Sequence, residues 1–225
     1  GVANPGYIWN IKDVMKRAEA GEKLTIGFIG GSITQGSLSS TPQKCYAYLV
    51  YEWWVRTFPQ AEFKYVNAGI GGTTSQFGVA RAQDDLLDAE PDFVIAEFSV
   101  NDESTGHFEE TYEGLVRKIL SSKSHPALML VHNVCYNNGA SAELVHSRIA
   151  RHYNIPSVSM QSTLYKALLN CRFDNRRITP DDLHPNDCGH ELVSMVITKR
   201  LEQIKNTVKA EYETAKSQRA AAQPD

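Results

Sequence analysis

Five short apolar segments alternate along the chain with longer segments in which apolar residues recur at helical spacing. The apolar segments have the length of strands and occupy residues 24–29, 63–66, 93–98, 127–134 and 155–159. Strands that alternate with helices in this way form a parallel sheet covered on both faces, with right-handed crossover connections. The sequence therefore predicts an α/β fold whose sheet has five parallel strands.

The first of these strands ends at two glycines, Gly30 and Gly31, and Ser32 follows them directly. The carboxyl ends of parallel strands form the ligand-binding edge of an open α/β sheet. Ser32 is therefore expected at the mouth of a crevice, with its hydroxyl accessible. A serine in such a place also commonly caps a following turn, so this segment alone leaves both interpretations open.

Three further polar or glycine-rich segments are expected at the same edge of the sheet. They comprise residues 67–75, 99–102 and 181–190, and each follows a strand or precedes a helix. Convergence of several such segments on one edge is typical of a binding or catalytic site in this architecture.

Acyl transfer by a serine requires a hydroxyl, a histidine base, a group that orients the histidine, and donors for the developing oxyanion. Candidates are Ser32 for the hydroxyl, His184 for the base and Asp181 for the orienting carboxylate. The donors could be the N–H of Ser32, an N–H within 69–72 and the side-chain amide of Asn101. Each of these candidates also has an ordinary structural interpretation. Asn101 could lie in a simple turn, residues 69–72 could form a tight connection, and His184 could be a solvated histidine.

The four segments together resemble the four ordered sequence blocks of the SGNH hydrolases, also called the GDSL esterase/lipase superfamily. In this chain they read Gly30-Gly-Ser-Ile-Thr, Asn67-Ala-Gly-Ile-Gly-Gly-Thr-Thr-Ser, Ser99-Val-Asn-Asp and Asp181-Asp-Leu-His-Pro-Asn. Their order and approximate spacing match from Ser32 to His184, about two thirds of the chain. One such block is weak evidence, but four in order are strong evidence.

The resemblance implies a role for each candidate residue. Ser32 would be the nucleophile, His184 the general base and acid, and Asp181 the orienting carboxylate. Gly72 aligns with the oxyanion glycine of the second block, and Asn101 with the side-chain oxyanion donor. The backbone N–H of Ser32 completes the expected oxyanion hole.

The resemblance also implies a flavodoxin-like three-layer α/β/α fold with a five-stranded parallel sheet, in agreement with the strand count above. The chain departs from the family pattern at Gly31, where the family usually has an acidic residue before the nucleophile. This departure removes a charge beside Ser32 and leaves the expected chemistry intact.

The first block is similar to that of a subset of the family that includes bacterial carbohydrate acetyl esterases. We therefore expect removal of O-acetyl groups from a saccharide or polysaccharide, because the predicted strand ends are polar except at Ile70 and Val100. The alternative is a lysophospholipase or thioesterase of the same superfamily, which would need an extended apolar groove. Trp9, Trp53 and Trp54 are candidates for an aromatic sugar platform.

Other classes of function lack their characteristic residues. The glycine-rich turns contain neither a complete GxGxxG nor a GK[ST] motif, which disfavours a nucleotide-binding domain. A non-catalytic sugar-binding module is disfavoured by the presence of Ser32, Asp181 and His184. Five residues of one loop could be considered as metal ligands: Asp181, Asp182, His184, Asp187 and His190. Their spacings lack a recognised ligand geometry, so no metal is expected, and no cofactor is expected either. We expect His190 to pack or cap the last helix.

Charge and hydropathy limit the partners. The net charge is −3 with scattered basic residues, so neither a nucleic acid nor a membrane is an expected partner. No apolar run approaches the ~20 residues of a membrane-spanning helix. The expected partner is a small-molecule or oligosaccharide ester substrate.

We expect an SGNH hydrolase domain over residues 1–208. Residues 209–225 contain little to bury and are expected to be a solvated helix end, a tail or a linker to a further domain. The four widely spaced cysteines indicate free thiols and a cytoplasmic location, although a secreted chain that had lost its signal peptide would look the same.

Overall fold

A computed structural model of the protein describes residues 1–208. Its strands are β1 (Val2–Asn4), β2 (Lys23–Gly30), β3 (Glu62–Gly69), β4 (Phe93–Glu97), β5 (Ala127–His132) and β6 (Ser157–Ser159). Its α-helices are α1 (Trp9–Glu19), α2 (Ser32–Gln35), α3 (Tyr46–Thr57), α4 (Ser75–Asp85), α5 (Gly106–Leu120), α6 (Glu143–His152), α7 (Lys166–Leu169) and α8 (Asp187–Asn206). The predicted segment 209–225 lies outside the described residues.

The strands form one sheet in the order β1-β6-β5-β4-β2-β3. All neighbouring strands are parallel except β1, which runs antiparallel to β6. The register pairs Gly30 with Gly69 on one side and with Glu97 on the other. The carboxyl ends of β2, β3 and β4 therefore lie at the same level.

The predicted α/β fold is confirmed, but the prediction of five strands was wrong because the sheet has six. The additional strand, β1, has only three residues and is followed by Pro5 and Gly6, so it shows no strand periodicity. It forms through tertiary contacts. The Asn4 side-chain amide donates to the carbonyls of Ala150 and Ile155 at 3.0 and 2.8 Å.

The core consists of two layers, one on each face of the sheet. One layer packs α1, α3 and α8 against the sheet, and the other packs α4, α5 and α6. Alternate residues of a single strand enter opposite layers, as Phe93 and Ile95 do on one side and Val94 and Ala96 on the other. Because both faces are buried, the strands read as continuous apolar runs, and the architecture is a three-layer α/β/α sandwich.

Two helical segments contain turns of another kind. A 3₁₀ turn, Pro42–Lys44, comes before α3. The segment after β6 opens with a π-helical turn, Gln161–Tyr165. Within residues 1–208, no helix has the length and apolarity needed to cross a lipid bilayer.

Candidate active site

Ser32 lies at the carboxyl end of β2, at the first position of the short helix α2. The two preceding glycines are required by the close packing there. A side chain at Gly30 would overlap the Thr34 side chain and the Glu97 carbonyl oxygen, and one at Gly31 would overlap the Asn101 amide. The acidic residue that the family usually has at this position therefore has no room here.

A chain of two hydrogen bonds joins Ser32 to His184 and Asp181. The Ser32 Oγ lies 2.8 Å from the His184 Nε2, and the His184 Nδ1 lies 2.6 Å from the Asp181 Oδ2. An ionised carboxylate can only accept, so the imidazole proton belongs on Nδ1 and the Ser32 hydroxyl donates to Nε2. This is the arrangement that a serine nucleophile and its base require.

The second oxygen of Asp181 is held by the backbone of its own loop. Oδ1 accepts from the N–H groups of Leu183 and His184 at 3.0 and 2.7 Å. Burial alone would raise the pKa of Asp181, but the hydrogen bonds from His184 and Leu183 outweigh it and lower the pKa to about 2. Asp181 is therefore a carboxylate at neutral pH.

The predicted oxyanion donors lie around Ser32. The Ser32 N–H is in the first turn of α2, where N–H groups have no intrahelical acceptor. Asn101 places its amide against Gly31, and a Cβ built on Gly71 would lie 3.6 Å from the Ser32 Cβ. Gly72 follows directly and has a φ of +71°, a left-handed conformation that glycine adopts without strain. The structure thus brings Ser32, His184, Asp181 and Asn101 together, and Gly72 follows the glycine that lies beside Ser32.

Sequence reasoning missed two residues that hold the strand ends beside Ser32. The Gln35 Oε1 accepts from the Gly71 N–H at 2.8 Å. Arg81 is buried and donates to the carbonyls of Ala68 and Gly30 at 2.6 and 3.0 Å. Gln35 directly follows the first sequence block, but nothing in the sequence indicates its contact with Gly71. Nothing in the sequence distinguishes Arg81 from a solvated helical arginine.

The start of α8 holds the loop that follows α2. The Asp187 carboxylate accepts from the Ser40 N–H and hydroxyl, both at 2.7 Å, and from the Lys44 ammonium at 2.8 Å. His190 is buried, and its Nδ1 accepts from the Tyr46 N–H at 3.2 Å. Its Nε2 then donates to a carbonyl of the same loop, at 3.1 Å. His190 thus packs at the start of α8, as expected.

Of the acidic and histidine residues weighed above as a metal site, Asp181 and His184 bind each other, whereas Asp182 and Asp187 bind other residues. Asp182 binds Asn175 and Arg176, at 2.5 and 3.0 Å, and so does not share the contacts of Asp181. Among residues 1–208, no cluster of three or more His, Cys, Asp or Glu side chains is arranged to hold a metal ion.

The three tryptophans lie away from Ser32, so the prediction of an aromatic platform from them was wrong. Trp54 is fully buried, and Trp53 packs against it in the last turn of α3. Trp9 lies beside Lys12, whose ammonium binds the carbonyls at the end of α8, about 30 Å of helix from its start. The direction of the helices, which spacing alone does not show, puts all three at the opposite end of the sheet.

A groove of about 500 Å³ adjoins Asn101. Its lining is mostly polar or small and comprises Ser99, Val100, Asn101, Asp102, Glu103, Ser104, Cys135, Ala140 and Ser141. The groove therefore offers hydrogen-bonding groups, with apolar surface from small side chains between them.

An α/β sandwich whose sheet presents a serine bound to a histidine, which in turn binds an aspartate, has the arrangement expected of a hydrolase with a serine nucleophile. A sequence model of the GDSL-like lipase/acylhydrolase family matches residues 28–192, and the chain belongs to that family. The predicted membership of a superfamily of carboxylic ester hydrolases is therefore confirmed.

Three similar proteins extend this comparison. A two-domain esterase active on acetylated mannans, co-crystallised with mannopentaose, is 68% identical with a TM-score of 0.91, covering 92% of this chain and 57% of its own. The thioesterase 1/protease 1/lysophospholipase L1 of Escherichia coli K12 is 26% identical over 84% of this chain and 88% of its own. An acetylxylan esterase from Geobacillus stearothermophilus is 19% identical and shares the fold with a TM-score of 0.66. The aligned region covers 79% of this chain and 93% of the acetylxylan esterase.

The predicted resemblance to carbohydrate acetyl esterases is confirmed by the two-domain esterase. The chain spans a little over half of the length of the two-domain esterase, 57%.

Proposed function

We propose that this protein is a serine esterase that removes O-acetyl groups from a polysaccharide, with acetylated mannan as its substrate class. The observation that carries the proposal is the hydrogen-bonded chain from Ser32 through His184 to Asp181. The substrate class is supported by the 68% identity to an esterase active on acetylated mannans.

In the first half of the reaction the Ser32 Oγ attacks the acetyl carbonyl carbon, and its proton passes to the His184 Nε2. Asp181 stabilises the imidazolium that forms, since its carboxylate faces Nδ1 at 2.6 Å. The carbonyl oxygen becomes an oxyanion that accepts hydrogen bonds from the N–H groups of Ser32 and Gly72 and from the Asn101 amide. Such donors act in the transition state and require no reorganisation there.

Collapse of this intermediate expels the sugar oxygen, which takes the proton from the His184 Nε2. The acetyl group then remains esterified to the Ser32 Oγ. A water molecule gives a proton to His184 and attacks the acetyl carbon. Release of acetate returns the proton to Ser32 and restores the free enzyme.

The lining of the site favours a short acyl group. The ends of β2, β3 and β4 provide small or polar residues, and the apolar exceptions are Ile70 and Val100. A long acyl chain would leave methylenes in water and lose ~0.8 kcal/mol for each one not buried. An acetyl group has no methylene and therefore loses little of this free energy.

The alternative substrate is a long-chain acyl ester or thioester. It is supported by the 26% identity to the Escherichia coli thioesterase and lysophospholipase, which covers most of both chains. The polar groove beside Asn101 argues against it.

A comparison of kcat/KM for p-nitrophenyl acetate and p-nitrophenyl octanoate separates these proposals. We expect a preference for acetate, and a preference for octanoate would favour the alternative. Acetate release from acetylated mannan and acetylated xylan, with the deacetylated polymers as blanks, then tests the saccharide. Faster release from xylan would contradict the assignment to mannan.

We also propose that the full protein carries a further domain beyond Asp225. The proposal is supported by the partial coverage of the two-domain esterase. Sequencing of the complete coding region tests it directly.

A further inference from the structure

Asp102 follows the proposed oxyanion donor Asn101 directly and is buried. The N–H groups of both residues donate to the Phe98 carbonyl, at 3.0 and 2.9 Å, and so belong to one tight turn after β4. Any displacement of the Asp102 carboxylate therefore moves the backbone that carries the Asn101 amide.

One oxygen of this carboxylate reaches the segment that carries the second proposed donor. Oδ1 accepts from the Ser75 N–H at 2.9 Å. Ser75 is the first residue of α4 and stands three residues after Gly72. A negative charge is favoured at this end of a helix, so the contact fixes the start of α4, and with it the Gly72 loop, relative to Asn101.

The other oxygen is held from beneath by His146 of α6. Oδ2 lies 3.0 Å from the His146 Nε2, and both side chains are fully buried. Burial lowers the pKa of His146, although Asp102 opposes the shift, so the ring is neutral with its proton on Nε2. Tyr112 of α5 stacks on the imidazole, with 3.6 Å between ring centroids and an interplanar angle of 11°.

We propose that Asp102 is a positioning residue that sets the distance between the two oxyanion donors, the Asn101 amide and the Gly72 N–H. The inference rests on the proposed function, because it gives those donors their role. The carboxylate joins the loop after β4 to the start of α4, and His146 and Tyr112 fix its own orientation. A misplacement of about 1 Å can cost about 10²-fold in rate, so the effect is measurable.

Turnover of p-nitrophenyl acetate by three variants tests the proposal. Asp102→Ala removes both contacts, and we expect kcat to fall about 10²-fold with little change in KM. Asp102→Asn can keep both, since its Oδ1 still accepts from Ser75 and its amide can donate to the other tautomer of His146. Its kcat should lie at least about tenfold above that of Asp102→Ala.

Asn4→Ala is the matched control, because it also removes two hydrogen bonds of a buried side chain, but at the β1 edge of the sheet. It should lower the free energy of unfolding while leaving kcat unchanged. If kcat falls in Asp102→Ala but not in Asn4→Ala, the loss is due to positioning and not to a general loss of stability.

The double variant with Asn101→Ala measures whether Asp102 acts through Asn101. Asn101→Ala alone should cost about 10²–10³-fold in kcat. Adding Asp102→Ala should then cost clearly less than it does in the wild type, because one of the two positioned donors is already gone. Full multiplication of the two effects, or an unchanged kcat in Asp102→Ala, would overturn the inference. Wild-type turnover by Ser32→Ala would instead overturn the proposed function, so the two failures are distinguishable.

Discussion

The Asp181 side chain holds His184 through both of its oxygens, one on the ring and one on the backbone N–H. These bonds lower its pKa from the ordinary value of 3.8 to about 2. A depressed carboxyl pKa contributes stability that is present above the unfolded pKa and is lost as the pH falls towards the folded one. Asp181 therefore keeps its charge throughout the pH range in which the esterase would be assayed.

Replacement of the two partners of Ser32 should have unequal effects. Asp181→Asn keeps an acceptor for the backbone but favours the wrong tautomer of His184, and should cost on the order of 10⁴-fold in kcat. His184→Ala removes the base and should cost on the order of 10⁶-fold. Steady-state hydrolysis of p-nitrophenyl acetate measures both.

Asp182→Ala is the control for this comparison, because Asp182 is the adjacent carboxylate and binds Asn175 and Arg176 instead. Its kcat should stay close to that of the wild type. A larger loss in Asp182→Ala than in Asp181→Asn would show that the orienting carboxylate is assigned one residue too early.

The sequence was sufficient to predict that the proposed catalytic residues meet at one edge of the sheet, but not to find the residues that hold them there. Ser32, Asn101 and His184 stand in recognisable local blocks, each beside glycine, aspartate or proline. Gln35 and Arg81 act through contacts with residues 36 and 51 positions away. Contacts of that kind depend on the packed fold, and a single sequence gives no local sign of them.

The helix α8 begins two residues after Pro185, in the loop that carries His184. Asn186 is its N-cap, with the side-chain oxygen accepting from the Gly189 N–H at 3.0 Å. The cap satisfies one of the N–H groups that a helix start leaves without a partner. It therefore fixes where the loop ends and the helix starts.

Asn186→Ala should lower the free energy of unfolding by about 1 kcal/mol, the ordinary effect of losing an N-cap. Asn186→Asp keeps the capping acceptor but loses the hydrogen bond that the amide donates to the Arg177 carbonyl at 3.1 Å, and should therefore lose less stability than Asn186→Ala. Urea unfolding followed by circular dichroism measures both variants. Equal losses in the two would mean that the cap does not account for the stability of this helix start.

Most elements could be predicted because each strand of the parallel sheet is buried on both faces. β4 and β5 are apolar throughout, which makes them visible without any knowledge of their neighbours. β1 was not predictable, since its three residues become a strand only by pairing with β6. The prediction of an aromatic platform from Trp9, Trp53 and Trp54 failed for a related reason. Helical spacing shows which face of a helix is apolar but not which end of the helix lies near the site.

At the scale of the whole molecule, the sheet separates two apolar layers, and Glu97 is a fully buried acidic residue at its edge. Burial raises the pKa of Glu97 to about 7, although hydrogen bonds from Ser99 oppose the shift. The folded state therefore holds a proton that the unfolded chain releases above its ordinary pKa of 4.5. The protonated Glu97 therefore contributes its full share of the free energy of unfolding below pH 4.5, and this contribution is lost as the pH rises towards 7.

Glu97→Gln should remove this part of the pH dependence, because the amide is nearly isosteric and does not ionise. Between pH 5 and pH 8 the wild type should lose about 3 kcal/mol more free energy of unfolding than the variant, by the usual conversion of a pKa shift. Denaturant titrations at the two pH values provide the comparison. Parallel changes in the two proteins would contradict a raised pKa at Glu97.

The most direct test of the central claim is the initial rate of acetate release from acetylated mannan, measured for the wild type and Ser32→Ala. Ser194→Ala is a matched control, since Ser194 is another buried serine, whose hydroxyl donates to the Glu191 carbonyl within α8. We predict that the wild type and Ser194→Ala release acetate at the same rate, with Ser32→Ala slower on the order of 10⁶-fold. Release by Ser32→Ala at the wild-type rate would contradict the claim.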